Sequence, residues 1–279
     1  MRDLTLGYSP CPNDTFIFYA LVHGKIDTDH LGFREILDDV ESLNQMARRS
    51  QLDVTKASFH AYGHLRETYC LLRSGGALGK GCGPLVVARE AYEMSDLKSR
   101  IIAIPGEHTT AFLLLRIFDD SLKENIRIMP FHTIIEAVRS GEVDAGLIIH
   151  ESRFTYHRSG LRKIIDLGDW WEKETGLPIP LGGILAKREL GDDLIRRIDR
   201  VLRRSIGYAF SHRGEPLSYI KRHSQEIEDD VIESHIGLYV NNYSLNIGED
   251  GLAAVEEILR KAEERGIIKK SSMTLFAPI

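Results

Sequence analysis

The sequence predicts an α/β protein built as two lobes with a central cleft. Short apolar segments bounded by glycine, proline and polar residues alternate with segments of helical periodicity, a pattern typical of sheets covered by helices. The alternation pauses at a glycine-rich stretch, residues 73–84, and starts again near Ile101. A chain of 279 residues is long enough for two lobes of ordinary size.

Two apolar strand patterns indicate where the chain passes between the lobes, one near Val87 and one near Ile184. We therefore expect residues 1–87 and 186–279 to form a larger, discontinuous α/β domain. Residues 88–185 then form a smaller α/β domain inserted into it. Such an arrangement leaves a cleft between the lobes, which is where small ligands usually bind.

Composition and charge argue against several classes of function. The 41 acidic side chains outnumber the 36 basic ones, so the formal net charge is −5 and no basic field attracts nucleic acid. No apolar run approaches the roughly 20 residues that a membrane helix needs, and no signal segment opens the chain, so we expect a cytoplasmic protein. Cys11, Cys70 and Cys82 form no CxxC pair, which argues against a disulfide framework or a zinc cage.

The first lobe opens with a strand, a turn and a helix, as doubly wound α/β lobes do. The turn contains two prolines, and Asn13 or Asp14 can cap the helix that follows. Apolar periodicity predicts strands and helices in alternation over residues 4–8, 15–23, 33–37, 40–49 and 53–58.

Polar side chains end the last of these strands. Lys56 and Ser58 are two residues apart on an extended segment, so they point the same way and can hold a carboxylate or a hydroxyl-rich ligand. A lysine is as often simply solvated, and that alternative stays open. His60 and His64 are four residues apart on a predicted helix. That spacing suits a metal, but neither an HExxH motif nor a third ligand is evident, so we expect no metal there.

The second lobe repeats the strand–helix pattern. The glycine-rich stretch has neither the Walker nor the GxGxxG order, so we interpret it as a flexible connector. Thr109 or Thr110 begins a predicted helix, where free N–H groups attract an anion and where threonine also serves as a simple cap. Residues 169–181 are aromatic and proline-rich, and we expect an irregular segment that is either a ligand-facing wall or a packed loop.

His150 is the strongest candidate for chemistry. It follows an apolar strand pattern over residues 143–149, and ligands bind beyond the carboxyl ends of such strands. An imidazole there can accept or release a proton near neutral pH, although it can equally cap the strand. Glu151 comes next, and strand alternation predicts that its side chain points to the opposite face.

Several of these stretches together resemble one enzyme family, the 1,4-dihydroxy-6-naphthoate synthases of the futalosine route to menaquinone. The resemblance runs in the same order from about Leu4 to Gly266. It rests on the motifs SPCPNDTF at 9–16, TKAS at 55–58, RSGGALG at 73–79, HTT at 108–110 and GLIIHESRF at 146–154.

The resemblance implies a two-lobed fold like that of type 2 periplasmic binding proteins. It also implies a cofactor-free lyase that converts cyclic dehypoxanthinylfutalosine to 1,4-dihydroxy-6-naphthoate and dihydroxyacetone. Within the family pattern His150 corresponds to the general base. The substrate-binding positions correspond to Lys56, Ala57, Ser58, Thr109 and Thr110.

Two alternatives remain at this level. One is a chorismate dehydratase of the same pathway, which shares the fold and also eliminates from a carboxylated ring. The other is a protein that binds a small molecule without chemistry. We expect a small-molecule substrate in each case, with no nucleic-acid or membrane partner, and the sequence leaves monomer and homodimer both open.

Overall fold

The computed structural model describes residues 2–224 and 228–278. Its strands are β1 Arg2–Tyr8, β2 Leu31–Leu37, β3 Val54–Ser58, β4 Tyr69–Leu71, β5 Ala77–Gly79, β6 Leu85–Ala88, β7 Ile102–Ile104, β8 Ile126–Ile128, β9 Ala145–Ile148, β10 Arg162–Asp166 and β11 Ile179–Lys187.

The α-helices complete the list of regular elements used below. They are α1 Pro12–Val22, α2 Val40–Arg48, α3 Phe59–Leu65, α4 Thr110–Phe118, α5 Ile134–Ser140, α6 Ser152–Thr155, α7 Leu167–Thr175, α8 Asp192–Ser211, α9 Leu217–His223, α10 Asp229–Tyr239, α11 Asn242–Leu245 and α12 Gly248–Glu264. None of the described helices is long and apolar enough to span a membrane.

The strands form two separate mixed sheets, which confirms the predicted α/β class. The first sheet has the order β2-β1-β3-β11-β4, with β5 also paired to β11. Strands β1, β2 and β3 are parallel, and β11 runs antiparallel to its neighbours. The second sheet has the order β10-β6-β9-β7-β8. Strand β7 is parallel to β8 and β9, whereas β6 runs antiparallel to β9 and β10.

The two sheets take their strands from different parts of the chain. The first sheet uses residues 2–79 and 179–187, and the second uses residues 85–166. Strand β6 therefore belongs to the second sheet and β11 to the first, so the expected boundaries after residues 87 and 185 cut through these two strands. A division by sheets would fall within 80–84 and 167–178, and the division into domains stays a prediction.

Helix α1, near the start of the chain, is deeply buried. It packs against α8, α9 and α10, and its residues from Pro12 to Leu21 are all buried. An all-round apolar helix of this kind needs partners on several sides. The long helix α8 supplies one of them, because its buried residues recur at helical spacing, for example Leu194, Ile198 and Val201. The first turn of α1 is thereby fixed beside the ends of β1 and β3.

Two expectations from the sequence are wrong. Residues 169–175 lie in α7 and residues 179–181 in β11, because the Asp166 carboxylate accepts hydrogen bonds from the first-turn amides of α7 and Gly176 ends that helix at φ 73°. Trp171 of α7 is fully buried, and its indole N–H donates to the Pro178 carbonyl at 3.1 Å. The glycine-rich stretch is packed, since it contains β5 and Gly75 donates to the Ser244 carbonyl at 2.7 Å.

The contact between Gly83 and Gly168 gives a test of this packing. A methyl group on Gly168 would lie 2.7 Å from the Gly83 backbone, too close for a real contact. We expect Gly168→Ala to lower the free energy of unfolding by about 1–3 kcal/mol through overpacking. Denaturant unfolding measures this change.

The matched control is Gly207→Ala in α8, where an added methyl group meets nothing within 4 Å. We expect this variant to be as stable as the parent or more stable by about 0.5–1 kcal/mol, because alanine favours helix. Equal stability of the two variants would contradict the close approach of Gly83 and Gly168.

Candidate active site

A single cleft brings the predicted site residues together. It contains about 680 Å³ of empty space, its open mouth included. Parts of the chain that carry the first sheet and parts that carry the second both contribute walls. Its lining includes all the residues implied by the family resemblance: Lys56, Ala57, Ser58, Thr109, Thr110 and His150. Their roles in binding and catalysis stay predictions.

His150 enters this cleft through an unusual backbone conformation. Strand β9 ends at Ile148, one residue earlier than the sequence pattern indicates, and His150 has φ 56°. Left-handed conformations are uncommon for residues other than glycine and concentrate at functional sites. The imidazole lies 5.1 Å from the Phe131 ring and stacks at 6.2 Å on His235. Its Nδ1 is 3.6 Å from the Cys11 Sγ.

The electrostatic surroundings keep His150 neutral. Burial lowers the pKa of His150 to about 4; the Asp14 and Asp39 carboxylates raise it and the Lys56 ammonium lowers it. Removal from water penalises the charged form of an imidazole. At physiological pH the side chain is therefore unprotonated, which is the form that a general base requires.

The left-handed turn also corrects the expectation for Glu151. Strand alternation placed its side chain on the face opposite His150, but the turn breaks that alternation. Glu151 is buried, and ligand atoms of Cys11, His150 and Glu151 lie within 4.8 Å of one another. Burial, followed by the nearby Glu151 carboxylate, raises the pKa of the Cys11 thiol well above its usual value.

A buried polar chain runs from β3 to α10 along the wall of the cleft. The Lys56 ammonium forms a 2.9 Å ion pair with Asp14, and both side chains are buried. The Asp14 carboxylate also accepts hydrogen bonds from the Ser9 amide at 3.1 Å and from the Asn13 side chain at 2.8 Å. The Asn13 Oδ1 in turn contacts His235 Nε2 at 3.0 Å. The sequence placed Asn13 and Asp14 at a helix cap, but α1 begins earlier, with Cys11 at the N-cap.

Ser58 is held by a partner that the sequence analysis did not identify. The buried Asn44 of α2 accepts a hydrogen bond from the Ser58 amide at 3.0 Å and donates to the Ser58 hydroxyl at 3.3 Å. Lys56 is occupied as well, by Asp14. The two side chains do face one cleft, as their spacing predicts, but they reach it already paired within the protein.

The threonines at the start of α4 are also engaged. Thr109 caps the helix, because its hydroxyl accepts from the Phe112 amide at 3.2 Å and donates to the Gly106 carbonyl at 2.9 Å. The Thr110 hydroxyl accepts from the Phe59 amide at 2.8 Å and donates to the Leu181 carbonyl. Both hydroxyl groups thus make hydrogen bonds within the protein. The first-turn amides of α4 are the groups that a helix leaves for a ligand.

His60 and His64 meet a third histidine beside the cleft. The rings of His60, His64 and His108 lie 5.5–5.8 Å apart. Burial lowers the pKa of His60 to about 3 and that of His64 to about 4, while His108 contacts the Arg48 guanidinium. Within residues 2–224 and 228–278, the three side chains whose ligand atoms converge to metal-binding distances are Cys11, His150 and Glu151, not these histidines.

Three residues of the site were not predicted from the sequence. Tyr239 lines the cleft, and Asn44 and His235 support it from α2 and α10. Leu181 also lines the cleft, at the end of the segment for which a ligand-facing wall was one of two expectations. Asn44 had one detectable signal, a polar residue on the apolar face of a helix. His235 had none, because its role depends on an asparagine more than 200 residues away.

Comparison of the whole chain with known proteins adds independent information. A family model described as menaquinone biosynthesis matches residues 4–264. A 1,4-dihydroxy-6-naphthoate synthase from Thermus thermophilus is 50% identical over 277 residues, which cover 99% of this chain and 100% of the relative. A synthase of the same name from Streptomyces coelicolor is 44% identical and covers 95% of this chain and 94% of the relative.

Solved structures bear on the fold. A protein from Archaeoglobus fulgidus has a TM-score of 0.89 at 36% identity and covers 95% of this chain and 98% of its own. A Candida albicans protein described as having the generic periplasmic binding protein fold has a TM-score of 0.71 at 13% identity, covering 98% and 92%. The alkanesulfonate-binding protein of Xanthomonas axonopodis has the same TM-score at 14% identity, covering 100% and 97%. The expected periplasmic-binding-protein-like fold is confirmed.

Substitution of Thr110 tests the two hydrogen bonds that its hydroxyl makes beside the cleft. Thr110→Val removes two hydrogen bonds and leaves the Phe59 amide and the Leu181 carbonyl unpaired, so we expect unfolding to become easier by about 1–3 kcal/mol. Thr110→Ser keeps the hydroxyl and is the matched control, with a smaller loss. If the hydroxyl instead contacts a ligand, Thr110→Val will leave thermal stability unchanged and impair turnover alone.

Proposed function

This chain belongs to the menaquinone biosynthesis family, and we propose that it converts cyclic dehypoxanthinylfutalosine to 1,4-dihydroxy-6-naphthoate and dihydroxyacetone. That it is an enzyme of menaquinone biosynthesis follows from its relatives of 50% and 44% identity over nearly the whole chain. The substrate and the carbon–carbon lyase class are the proposal. The observation that carries it is the neutral His150 just beyond β9, which lines the same cleft as Lys56 and Thr110.

In the proposed reaction His150 removes the proton that starts bond cleavage. Forming an aromatic ring while releasing a three-carbon fragment needs proton removal more than electron transfer, so one base in a water-poor site can suffice. The imidazole ring is held by Phe131 and His235, which fixes its direction relative to a bound substrate. Such fixed orientation reduces the entropy cost of the reaction.

The other groups that line the cleft suit a substrate ring that carries a carboxylate. The first-turn amides of α4, at Thr110 and Ala111, can receive the carboxylate, because a helix N-terminus favours negative charge. Lys56 adds positive charge from β3, reduced by its pairing with Asp14. Leu181 and Ile149 add apolar surface against which an aromatic product can pack.

Some of the sequence expectations remain part of the proposal. We propose a cytoplasmic enzyme whose partner is its small-molecule substrate, acting without a resident metal or cofactor and without nucleic acid or membrane. Monomer and homodimer are both compatible with it.

The direct experiment is an assay of the purified chain with each of two substrates. We expect dihydroxyacetone and 1,4-dihydroxy-6-naphthoate from cyclic dehypoxanthinylfutalosine, and no turnover of chorismate. Turnover of chorismate alone would support the dehydratase instead. Tight binding of either compound without product would support a binding protein. Dialysis against a chelator should leave the activity intact.

His150 gives the sharpest mutational test. We expect His150→Ala to fold and to bind substrate, and to lose about 10²–10⁴-fold in kcat, the usual share of general base catalysis. Because the pKa of His150 is lowered to about 4, kcat/KM should stay level from pH 8 to about 5 and fall only as the pH drops through about 4. His157→Ala, a histidine outside the cleft lining, is the control. A fall centred near 6.5, the ordinary histidine value, would contradict a base that its surroundings keep neutral.

A further inference from the structure

Two groups behind His150, the Cys11 thiol and the Glu151 carboxylate, have no role in the proposed reaction and form an electron-rich cluster with its imidazole. Cys11 Sγ, a ring nitrogen of His150 and a carboxylate oxygen of Glu151 all lie within 4.8 Å of one another. A thiolate, an imidazole and a carboxylate are the donors that bind Zn²⁺ and similar cations in proteins. The cluster lies on the Nδ1 side of His150, where that atom approaches Cys11 at 3.6 Å.

A second observation comes from the hydrogen bonds of His235. The Asn13 side-chain amide donates to Asp14, so its oxygen accepts from His235, and the His235 proton therefore resides on Nε2. The Nδ1 of His235 then carries a lone pair. It is buried without a hydrogen-bond partner among the described residues and points at Glu151 Oε2, 3.8 Å away. A lone pair and a carboxylate facing each other repel, and a cation beside them relieves that repulsion.

A separate cavity gives access to the cluster. It contains about 640 Å³ of empty space and is lined by Cys11 and Glu151 together with Asp38, Asp39 and His132. The substrate cleft is lined by His150 and by neither Cys11 nor Glu151. An entrance with three carboxylates attracts cations. The positive charge of Lys56, which would oppose them, is paired with Asp14.

We propose that Cys11, His150 and Glu151 bind a thiophilic divalent cation such as Zn²⁺, and that the bound ion inhibits the enzyme. The ion takes the Nδ1 lone pair of His150 and the Cys11 sulfur, and the thiol proton leaves to solvent as the ion binds. Binding to the ion fixes the imidazole and occupies its lone pair, so the ring no longer serves as a base for the substrate. The inhibition rests on the proposed role of His150, whereas the binding does not.

Binding is tested first, without substrate, on the full chain freed of metal by a chelator. Co²⁺ is the probe, because a cysteine thiolate bound to it gives a charge-transfer band in the near ultraviolet. We expect this band with the parent protein and with Cys70→Ser, a buried cysteine of β4 away from the cluster. Cys11→Ser should lose the band and bind Co²⁺ at least about tenfold more weakly, since the loss of one ligand costs at least what outer-shell changes cost.

Serine is a good helix N-cap, so Cys11→Ser should fold, and Glu151→Gln gives a second variant of similar shape. We expect Glu151→Gln to keep the band but to weaken Co²⁺ binding. Absence of the band in the parent, or its persistence in Cys11→Ser, would overturn the site.

Inhibition is tested second, with Zn²⁺ added to the turnover assay and each variant compared with its own zinc-free rate. We expect Zn²⁺ to abolish turnover reversibly, and Cys11→Ser to need at least about ten times more Zn²⁺ for half inhibition. Cobalt binding through Cys11 with full turnover in Zn²⁺ would overturn the inhibitory role. Cobalt binding in a chain that turns over no substrate would support the site and count against the proposed function alone.

Discussion

The buried ion pair between Asp14 and Lys56 is the interaction on which the rest of the site depends. Two charges removed from water are costly unless their geometry is good and the remaining polar atoms are satisfied. Asp14 meets this condition with donors from Lys56, Asn13 and the Ser9 amide, at 2.8–3.1 Å. The pair therefore joins the first turn of α1 to β3, two elements that the chain places more than 40 residues apart.

This pair has consequences for both sides of the cleft. It sets the orientation of the Asn13 amide, and that amide sets the tautomer of His235 on α10. It also determines how much charge Lys56 shows to a ligand. A free ammonium would be a strong anion site, but a paired one contributes less. In the proposed function, the helix N-terminus at Thr110 then carries more of the recognition of a carboxylate than the spacing of Lys56 and Ser58 alone suggests.

The sequence predicted elements whose signals are local. Strand β3, helix α4 and strand β9 follow from apolar periodicity and from side chains at element ends, and the family motifs at these points contain residues that line one cleft. Residues 169–181 were expected to be irregular because they contain tryptophan and proline, although Asp166 can cap a helix there and Gly176 can end it. The hydrogen bond between Asn13 and His235 could not be predicted from the sequence, since it depends on tertiary packing. The predicted orientation of the Glu151 side chain was wrong for another reason. Alternation along a strand ends where a residue with left-handed backbone intervenes.

The neutrality of His150 raises a question about its strength as a base, since an imidazole with a pKa near 4 holds a proton weakly. The carboxylates of Asp14 and Asp39 both favour the protonated ring, and their effect is already part of this value. One further feature offsets the weakness in the proposed reaction. A substrate carboxylate bound at α4 adds a further negative charge to the cleft and draws the pKa of His150 upward. In the proposed reaction His150 is thus unprotonated in the empty enzyme and becomes a stronger base when the substrate is present, which couples proton removal to binding.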